Sequence, residues 1–174
     1  MSRHREKNES DTRLRFGQWV FKDDMRCEAY GTIDETVSIL GLARRFCVAE
    51  INSCIDDIQR DLFTVSAELA TLPENYARLK EEGSAVSEAM VQKLDGLTAK
   101  LEAEGAMPGR FIIPGESSTG AAVLDMARAT IRRAEREVIR INKSQDVSDC
   151  LLHYMNRLST VLFLLARSQE GKEK

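Results

Sequence analysis

The stretch LLHYMNRLSTVLFLLAR, residues 151–167, decides the fold, because its apolar residues recur with the period of an α-helix. Ser148 stands just before it, at the position where a hydroxyl caps the first turn of a helix. The face that we expect in the core carries Leu151, Met155, Leu158, Leu162 and Leu165. The pattern therefore predicts a long helix that is buried against other helices.

Four earlier segments show the same period and predict four more helices. The first begins with a capping box at Thr32 and Glu35, in which each side chain binds the backbone amide of the other residue. The fourth begins at Ser117 or Ser118. Between the second and third helices, residues 74–84 are polar, and we expect a loop there.

The composition agrees with one helical domain. The 174 residues suffice for a single core, and 10 glycines with 3 prolines are too few for the many turns of an all-β fold. We therefore predict an all-α fold, a five-helix bundle.

The charge and the hydropathy pattern exclude several classes of protein. The formal net charge of −3 argues against a globally basic protein that binds nucleic acid. No apolar run approaches the ~18 residues that a membrane-spanning helix needs. The start of the chain, MSRHREKNESD, lacks the apolar stretch of a secretory signal. We expect a cytoplasmic protein with no nucleic-acid or membrane partner.

The cysteines and histidines form no pattern that is typical of a metal site. Cys27, Cys47, Cys54 and Cys150 include no Cys-x-x-Cys pair, and we expect them to be reduced thiols. Di-iron bundles need Glu-x-x-His pairs on two helices, and no such pair occurs in this sequence. We therefore predict no metal site in the bundle.

The fourth predicted helix is rich in arginine. Arg128, Arg132 and Glu135 fall on one of its faces, at about 100° per residue. Like charges four residues apart destabilise an isolated helix, so this face needs solvent or an anionic partner. Two interpretations are open: a solvated charged face, or a site where planar guanidinium groups bind phosphate oxygens.

Three other features allow both a structural and a functional interpretation. Residues 111–115, FIIPG, form either a plug in the core or a loop that faces a ligand. Asn156 and Arg157 interrupt an apolar helix, so they need polar partners on a neighbouring helix or in a site. Asp34 belongs to the predicted capping box and is also able to pair with an arginine across the bundle.

Six stretches resemble five motifs of the PduO-type ATP:corrinoid adenosyltransferases, the second motif being matched by two of them, and they occur in that family's order. They are RCEAYGTIDE at 26–35, IQRDLF at 58–63 with AELAT at 67–71, FIIPG at 111–115, ARATIRRAER at 127–136 and YMNRLS at 154–159. The resemblance extends from about Lys22 to Arg167. Because five motifs agree in order, the chain is identified as similar to this family.

The resemblance implies a ferritin-like five-helix bundle without a metal site, assembled as a homotrimer with active sites between subunits. The implied reaction is attack by a cobalt(I) corrinoid on the 5′-carbon of ATP, which forms adenosylcobalamin and releases tripolyphosphate. ATP, Mg²⁺ and cobalamin are the implied ligands. The chain then divides into an N-terminal segment with a divergent nucleotide loop at 1–21, one helical-bundle domain at 22–168 and a C-terminal tail at 169–174.

The resemblance also implies the catalytic residues, which are Arg128, Arg132, Glu135 and Asp34. Arg128 is expected to pair with Asp34 across the subunit interface. Arg132, Glu135 and Asn156 are expected to bind ATP, with cationic groups stabilising the charge that develops on the departing phosphates.

The remaining implied residues lie outside the arginine-rich helix. Thr12, Arg13 and Lys22 are expected to bind ATP. Phe111 and Pro114 are expected to contact the corrinoid. The Phe111 ring would press on the lower face of the corrin and exclude its axial ligand, which makes cobalt(II) easier to reduce to the nucleophile cobalt(I).

The chain departs from the family motifs mainly on the nucleotide side. The family's glycine-rich loop wraps phosphates with backbone amides, whereas residues 4–12 contain no glycine and include Glu9 and Asp11. Glu116 replaces a glycine in the corrinoid loop, and Thr160 replaces the aspartate that follows Asn-Arg-Leu-Ser. The alternative function is therefore a non-catalytic relative that binds corrinoid or nucleotide, or acts as an interaction protein.

Overall fold

The computed structural model describes residues 8–106, 109 and 111–172, and it confirms an all-α fold. Two short strands pair antiparallel ahead of five long helices and one short helix. The elements are β1 Asp11–Arg13, β2 Trp19–Phe21, α1 Met25–Ala43, α2 Ala49–Leu69, α3 Tyr76–Glu81, α4 Glu88–Ala103, α5 Thr119–Asn142 and α6 Asp149–Lys172. Within these described ranges, no helix is long and apolar enough to cross a membrane.

Helix α6 lies at the centre of the bundle. It packs against α4 and α5, while α1 packs against α5 and α2. All the residues that the sequence predicts on its core face are fully buried, namely Leu151, Met155, Leu158, Leu162 and Leu165. Burial of an apolar side chain contributes about 1.5–3 kcal/mol, so α6 is a main source of the stability of the bundle.

The predicted caps of the last two helices are confirmed. Ser118 Oγ accepts a hydrogen bond from the amide of Ala121 at 3.1 Å, at the start of α5. Ser148 Oγ accepts from the amide of Leu151 at 3.1 Å, at the start of α6. Each cap satisfies an amide that the helix itself leaves without a partner.

The predicted start of the first helix is wrong. Helix α1 begins at Met25, and the carboxylate of Asp24 caps it by accepting from the amide of Arg26 at 2.8 Å. Thr32 lies in the middle of α1, where its Oγ1 donates to the carbonyl of Glu28 at 2.9 Å. A threonine that bonds to a carbonyl one turn earlier is compatible with a helix interior, so the Thr-x-x-Glu pattern does not mark a start here.

The predicted loop at 74–84 is also wrong, because a 3₁₀ turn at Pro73–Asn75 leads into α3. One apolar residue, Leu79, anchors α3 and is fully buried. The guanidinium of Arg78 lies over the ring of Phe16 at 4.4 Å from its centroid, which joins α3 to the β1–β2 hairpin. A short amphipathic helix with a single core residue has too weak a period to be predicted from sequence.

The end of the chain continues α6. Residues 169–172 belong to this helix, so the expected boundary after residue 168 falls inside it. Gln169 is fully buried, and its Oε1 accepts from the amide of Val48 at 3.0 Å. This bond ties the end of α6 to the start of α2. Cys27, Cys47, Cys54 and Cys150 are all partly buried, and none of them forms a disulfide within the part of the chain that the structure describes.

Candidate active site

Small residues bring α5 close to its neighbours. Ala121, Ala127 and Ala134 are fully buried along the helix. At Gly120, a Cβ atom would lie 2.8 Å from the carbonyl oxygen of Phe46, so only glycine fits between α5 and the loop that follows α1. Close packing of this side of α5 leaves its arginine-rich side toward the surface.

Arg128 occupies the boundary between the core and the surface on α5. Its side chain is 31% exposed, and Nε lies 3.4 Å from Oδ1 of the buried Asp125, one turn earlier. Asp34 is exposed on α1. The pairing of Arg128 with the partner subunit's Asp34 involves a second chain, and it stays a prediction.

The structure brings together two of the residues predicted to bind ATP. Asn156 on α6 donates from Nδ2 to Oε1 of Glu135 on α5 at 3.2 Å. Arg132 lies exposed one turn before Glu135 on the same helix. Arg157 instead forms an ion pair with Asp95 on α4 at 3.1 Å, so it has a structural partner.

The β1–β2 hairpin forms the other predicted part of the nucleotide site. Thr12, Arg13 and Lys22 line an open cleft of about 600 Å³. The guanidinium of Arg13 lies 4.3 Å from the centroid of the Trp19 ring, a cation–π distance that holds this side chain at the cleft. The carboxylates of Glu9 and Asp11 line the same cleft.

The FIIPG segment is a surface loop, and the alternative of a plug in the core is wrong. Phe111 is 100% exposed and Ile113 is 68% exposed. Gly115 has φ +85°, a left-handed conformation that turns the chain toward α5 and that other residues rarely adopt. Phe111 and Pro114 line a small cavity of about 200 Å³ together with Arg128. The predicted corrinoid loop therefore lies beside the predicted catalytic helix.

Sequence reasoning missed three residues at this cavity, which are Asp125, Phe163 and Arg167. The Arg167 side chain is 3% exposed and donates from Nη2 to Oδ2 of Asp125. Helical spacing could have indicated these residues, because residues three or four apart share a helix face. Asp125 lies three residues before Arg128, and Phe163 lies four before Arg167.

Burial shifts several pKa values in the bundle next to the site. Tyr154 is fully buried and donates to Oδ2 of Asp61 at 3.3 Å. Burial raises the pKa of the Tyr154 hydroxyl well above its ordinary value, and the Asp61 carboxylate adds to the shift. Burial likewise raises the pKa of the Asp61 carboxyl. Tyr154 is buried and Asp61 is partly exposed, and their hydrogen bond links α6 to α2.

The residues that the structure describes contain no group of three or more histidine, cysteine or acidic side chains able to hold a metal ion. Mg²⁺ usually keeps several waters and binds through substrate phosphates with one or two carboxylates. Asp11 is buried and its Oδ2 accepts from the amide of Asn8, so Glu9 is the more accessible acidic group of the hairpin cleft, and it fits such an ion only when the phosphates of ATP supply most of the ligands.

Comparison with known proteins gives one consistent result. A sequence profile described as cobalamin adenosyltransferase matches residues 3–169. A corrinoid adenosyltransferase of Citrobacter freundii is 36% identical over 160 residues, which cover 91% of this chain and 89% of that protein. A corrinoid adenosyltransferase of Bacillus subtilis is 36% identical over 149 residues, which cover 84% and 75% of the two chains.

A solved structure agrees with the sequence comparisons. It is a variant PduO-type ATP:corrinoid adenosyltransferase from Lactobacillus reuteri, complexed with cobalamin and ATP. It superposes with a TM-score of 0.79 at 26% identity and covers 91% of this chain and 84% of that chain. The profile match and the shared fold extend over nearly the whole bundle. The chain therefore belongs to the cobalamin adenosyltransferase family.

Proposed function

We propose that the chain transfers the 5′-deoxyadenosyl group of ATP to the cobalt of a corrinoid. Cobalt(I) of the corrinoid donates an electron pair to the 5′-carbon, the bond from that carbon to the phosphate oxygen breaks, and tripolyphosphate leaves. The supporting observation is the cavity that Phe111 and Pro114 share with Arg128, which joins the corrinoid loop to the arginine-rich helix. The family and the ligands of the solved relative agree with this chemistry.

On this proposal, α5 and α6 hold the nucleotide. Arg132 is exposed and presents a planar guanidinium that matches the geometry of phosphate oxygens. Glu135 is held by the hydrogen bond from Asn156, so its carboxylate has a fixed position for a polar group of the nucleoside. These contacts place the 5′-carbon for in-line attack and stabilise the negative charge of the departing tripolyphosphate.

The Phe111 loop acts on the corrinoid. An apolar ring that is wholly exposed is available to cover the lower face of the corrin and to exclude water and other axial ligands. Removal of an axial donor lowers the electron density at cobalt, which makes reduction of cobalt(II) to cobalt(I) more favourable. Pro114 fixes the backbone of this loop next to α5. Mg²⁺ would be held mainly by the phosphates of ATP and would supply further positive charge.

We also propose a cytoplasmic homotrimer. Arg128 uses Nε toward Asp125, which leaves both terminal nitrogens of its guanidinium for the partner subunit's Asp34. Asp34 is exposed on α1, as an interface residue of an isolated chain must be. Sedimentation equilibrium is expected to give a trimer at micromolar concentration, and Asp34→Ala is expected to weaken it. A monomer under these conditions would contradict an active site shared between subunits.

The test of the proposed activity is an anaerobic assay with Mg-ATP and reduced cobalamin, in which adenosylcobalamin and tripolyphosphate are both quantified. Equal amounts of the two products would support the transfer. The absence of glycine from residues 4–12 and the presence of Glu9 and Asp11 at the hairpin cleft favour a second candidate, a corrinoid-binding relative without turnover. Corrinoid binding with neither product formed would favour that candidate over the proposed one.

A further inference from the structure

A buried guanidinium lies between α5 and α6 behind the Phe111 loop. Arg167 donates from Nη2 to Oδ2 of Asp125, and the same nitrogen lies 3.4 Å from Oε1 of Glu170. The ring of Phe163 covers the guanidinium at 5.2 Å from its centroid. These three partners fix the position of the side chain.

Two donors of this guanidinium have no acceptor among the residues that the structure describes. Nε and Nη1 of Arg167 are buried, and neither forms a hydrogen bond within residues 8–106, 109 and 111–172. Buried polar groups of a folded protein are nearly always paired, because an unpaired one loses its hydration without compensation. Arg167 also lines the cavity beneath Phe111 and Pro114. The unpaired donors and the cavity together indicate a site for an acceptor from outside the bundle.

The size of the cavity restricts what enters it. At about 200 Å³ it is smaller than the ~300–1,000 Å³ of typical ligand pockets, so it is too small for a corrin macrocycle. It has room for one short side arm of such a ring, while the ring itself stays outside against Phe111. The peripheral arms of cobalamin end in carboxamides, each with one carbonyl acceptor.

Four charged groups at or next to the cavity, all in the part of the chain that the structure describes, balance one another. The guanidinium groups of Arg128 and Arg167 face the carboxylates of Asp125 and Glu170. An anionic arm would add an unbalanced negative charge next to Asp125 in a buried setting, which costs free energy. A neutral amide supplies the missing acceptor without that cost.

We propose that Arg167 binds a peripheral amide arm of the corrinoid. The arm enters the cavity beneath the Phe111 loop, and its carbonyl oxygen accepts from Nε or Nη1 of Arg167. Asp125 is a positioning residue that orients Arg167. This inference rests on the proposed function, and it adds a residue that selects corrinoids by their side arms.

The experiment compares Arg167→Lys with the wild-type protein. Lysine keeps a positive charge that is able to pair with Asp125, but its single ammonium group does not replace the separate Nε, Nη1 and Nη2 donors of arginine. Anaerobic titration with cob(II)alamin in the presence of Mg-ATP is expected to show a rise in Kd of about tenfold, since one charge-assisted hydrogen bond is lost. The Kd for Mg-ATP alone is expected to be unchanged. Arg140→Lys, at an exposed pair with Glu137 on α5, is the control and is expected to change neither value.

The outcomes separate this inference from the proposed function. If the wild type binds cob(II)alamin and Arg167→Lys binds it equally well, the inference is wrong and the proposed function stands. If the wild type binds no cob(II)alamin, the proposed function itself fails.

A crystal structure of the wild type with bound cob(II)alamin tests the inference even if Arg167→Lys does not fold. Crystals of the wild type with cob(II)alamin are expected to show an amide oxygen within about 3.2 Å of Nε or Nη1 of Arg167. Main-chain oxygens of residues 107–110 on those nitrogens, with no arm in the cavity, would overturn the inference.

Discussion

Arg26 donates two hydrogen bonds to the side-chain oxygen of Gln145, from Nε at 3.0 Å and from Nη2 at 2.8 Å. The remaining terminal nitrogen, Nη1, donates to the carbonyls of Leu69 and Thr71 at 3.0 and 2.9 Å. Arg26 is 2% exposed, and this burial lowers its pKa. One side chain thus connects the start of α1 with the end of α2 and with the connection between α5 and α6.

Replacement of Arg26 is therefore expected to destabilise the bundle. Arg26→Met leaves two buried carbonyls and an amide oxygen without donors, and each unpaired group costs about 1–3 kcal/mol. We expect the free energy of unfolding to fall by about 3 kcal/mol or more, measured by urea denaturation. The control is Arg60→Met, at an exposed ion pair with Asp56, which is expected to cost less than about 1 kcal/mol. Equal losses for both variants would contradict the structural role of Arg26.

Glu68 is a second buried polar residue that binds distant segments, and it makes the stability of the fold depend on pH. Its Oε2 accepts from the amide of Val86 at 2.7 Å, and its Oε1 accepts from the hydroxyl of Ser148. Burial raises the pKa of the carboxyl, although these two hydrogen bonds and a third from the amide of Ser148 favour the charged form. The folded protein therefore holds a proton to higher pH than the unfolded chain does. The contribution of Glu68 to stability is complete below the ordinary pKa of glutamate and is lost as the pH rises through the raised pKa.

Glu68→Gln is expected to remove this pH dependence. Glutamine does not ionise; its oxygen accepts from the amide of Val86 and its NH2 donates to the hydroxyl of Ser148, while the amide of Ser148 loses its acceptor at every pH. The wild type is expected to lose stability between about pH 5 and about pH 8, whereas the variant is not. The free energy of unfolding of the variant minus that of the wild type is therefore expected to rise between these pH values, by ~1.4 kcal/mol for each unit of pKa shift. Urea denaturation at both pH values measures this, with Glu81→Gln on the exposed surface of α3 as the control. A difference that is constant with pH would contradict a raised pKa at Glu68.

Helical periodicity predicted most of the fold because it depends on residues only a few positions apart. The five long helices and the caps at Ser118 and Ser148 are confirmed. The start of α1 was not predictable from Thr32, since the same pattern is compatible with a helix interior. Arg26 and Glu68 acquire their partners from distant segments, so no local pattern indicates their burial.

The candidate site was predictable only in part. Helical spacing places Arg128, Arg132 and Glu135 along α5, but the bond between Glu135 and Asn156 depends on how α5 packs on α6. Spacing left open whether Phe111 lies in the core, and tertiary structure shows that it is exposed. The roles of these residues in binding and catalysis stay predictions, as they concern ligands and a second subunit.

Phe111→Ala tests the proposed role of the exposed ring. Since Phe111 makes no contribution to the core, we expect the unfolding free energy to stay the same. Turnover that starts from cobalt(II) with an added one-electron reductant is expected to slow by about tenfold or more, which is ~1.4 kcal/mol of barrier. Turnover from pre-reduced cobalt(I) is expected to slow much less, because exclusion of an axial ligand affects reduction rather than the later attack.

The two starting states are compared anaerobically, with Ile113→Ala as the control. Ile113 is exposed on the same loop, and its replacement is expected to leave the ratio of the two rates unchanged. If Phe111→Ala slowed both reactions equally, the ring would not act on the reduction step.

The hairpin cleft is expected to bind ATP weakly. The amide of Asp11 already donates to the carbonyl of Asn8 at 3.0 Å, and the amide of Lys22 donates to the carbonyl of Ser10 at 2.8 Å. These amides are committed to the hairpin, so they are not directed at an anion. Loss of two or three charge-assisted hydrogen bonds, each about 1.5–3 kcal/mol, weakens binding by about a hundredfold or more. We therefore expect Mg-ATP to bind about a hundredfold or more weakly than it would bind to a loop that directs these amides at the phosphates.

Arg132 then becomes the main remaining phosphate-binding group, because it is exposed on α5 and forms no ion pair with the described part of the chain. Arg132→Ala is expected to reduce Mg-ATP binding below detection in isothermal titration, while cob(II)alamin binding is retained. Arg140→Ala, about two turns further along α5, is the matched control and is expected to bind Mg-ATP like the wild type. If the wild type binds Mg-ATP tightly and Arg132→Ala binds it equally well, the phosphates bind instead to Arg13 and Lys22. The Trp19 ring already holds the Arg13 guanidinium at that cleft.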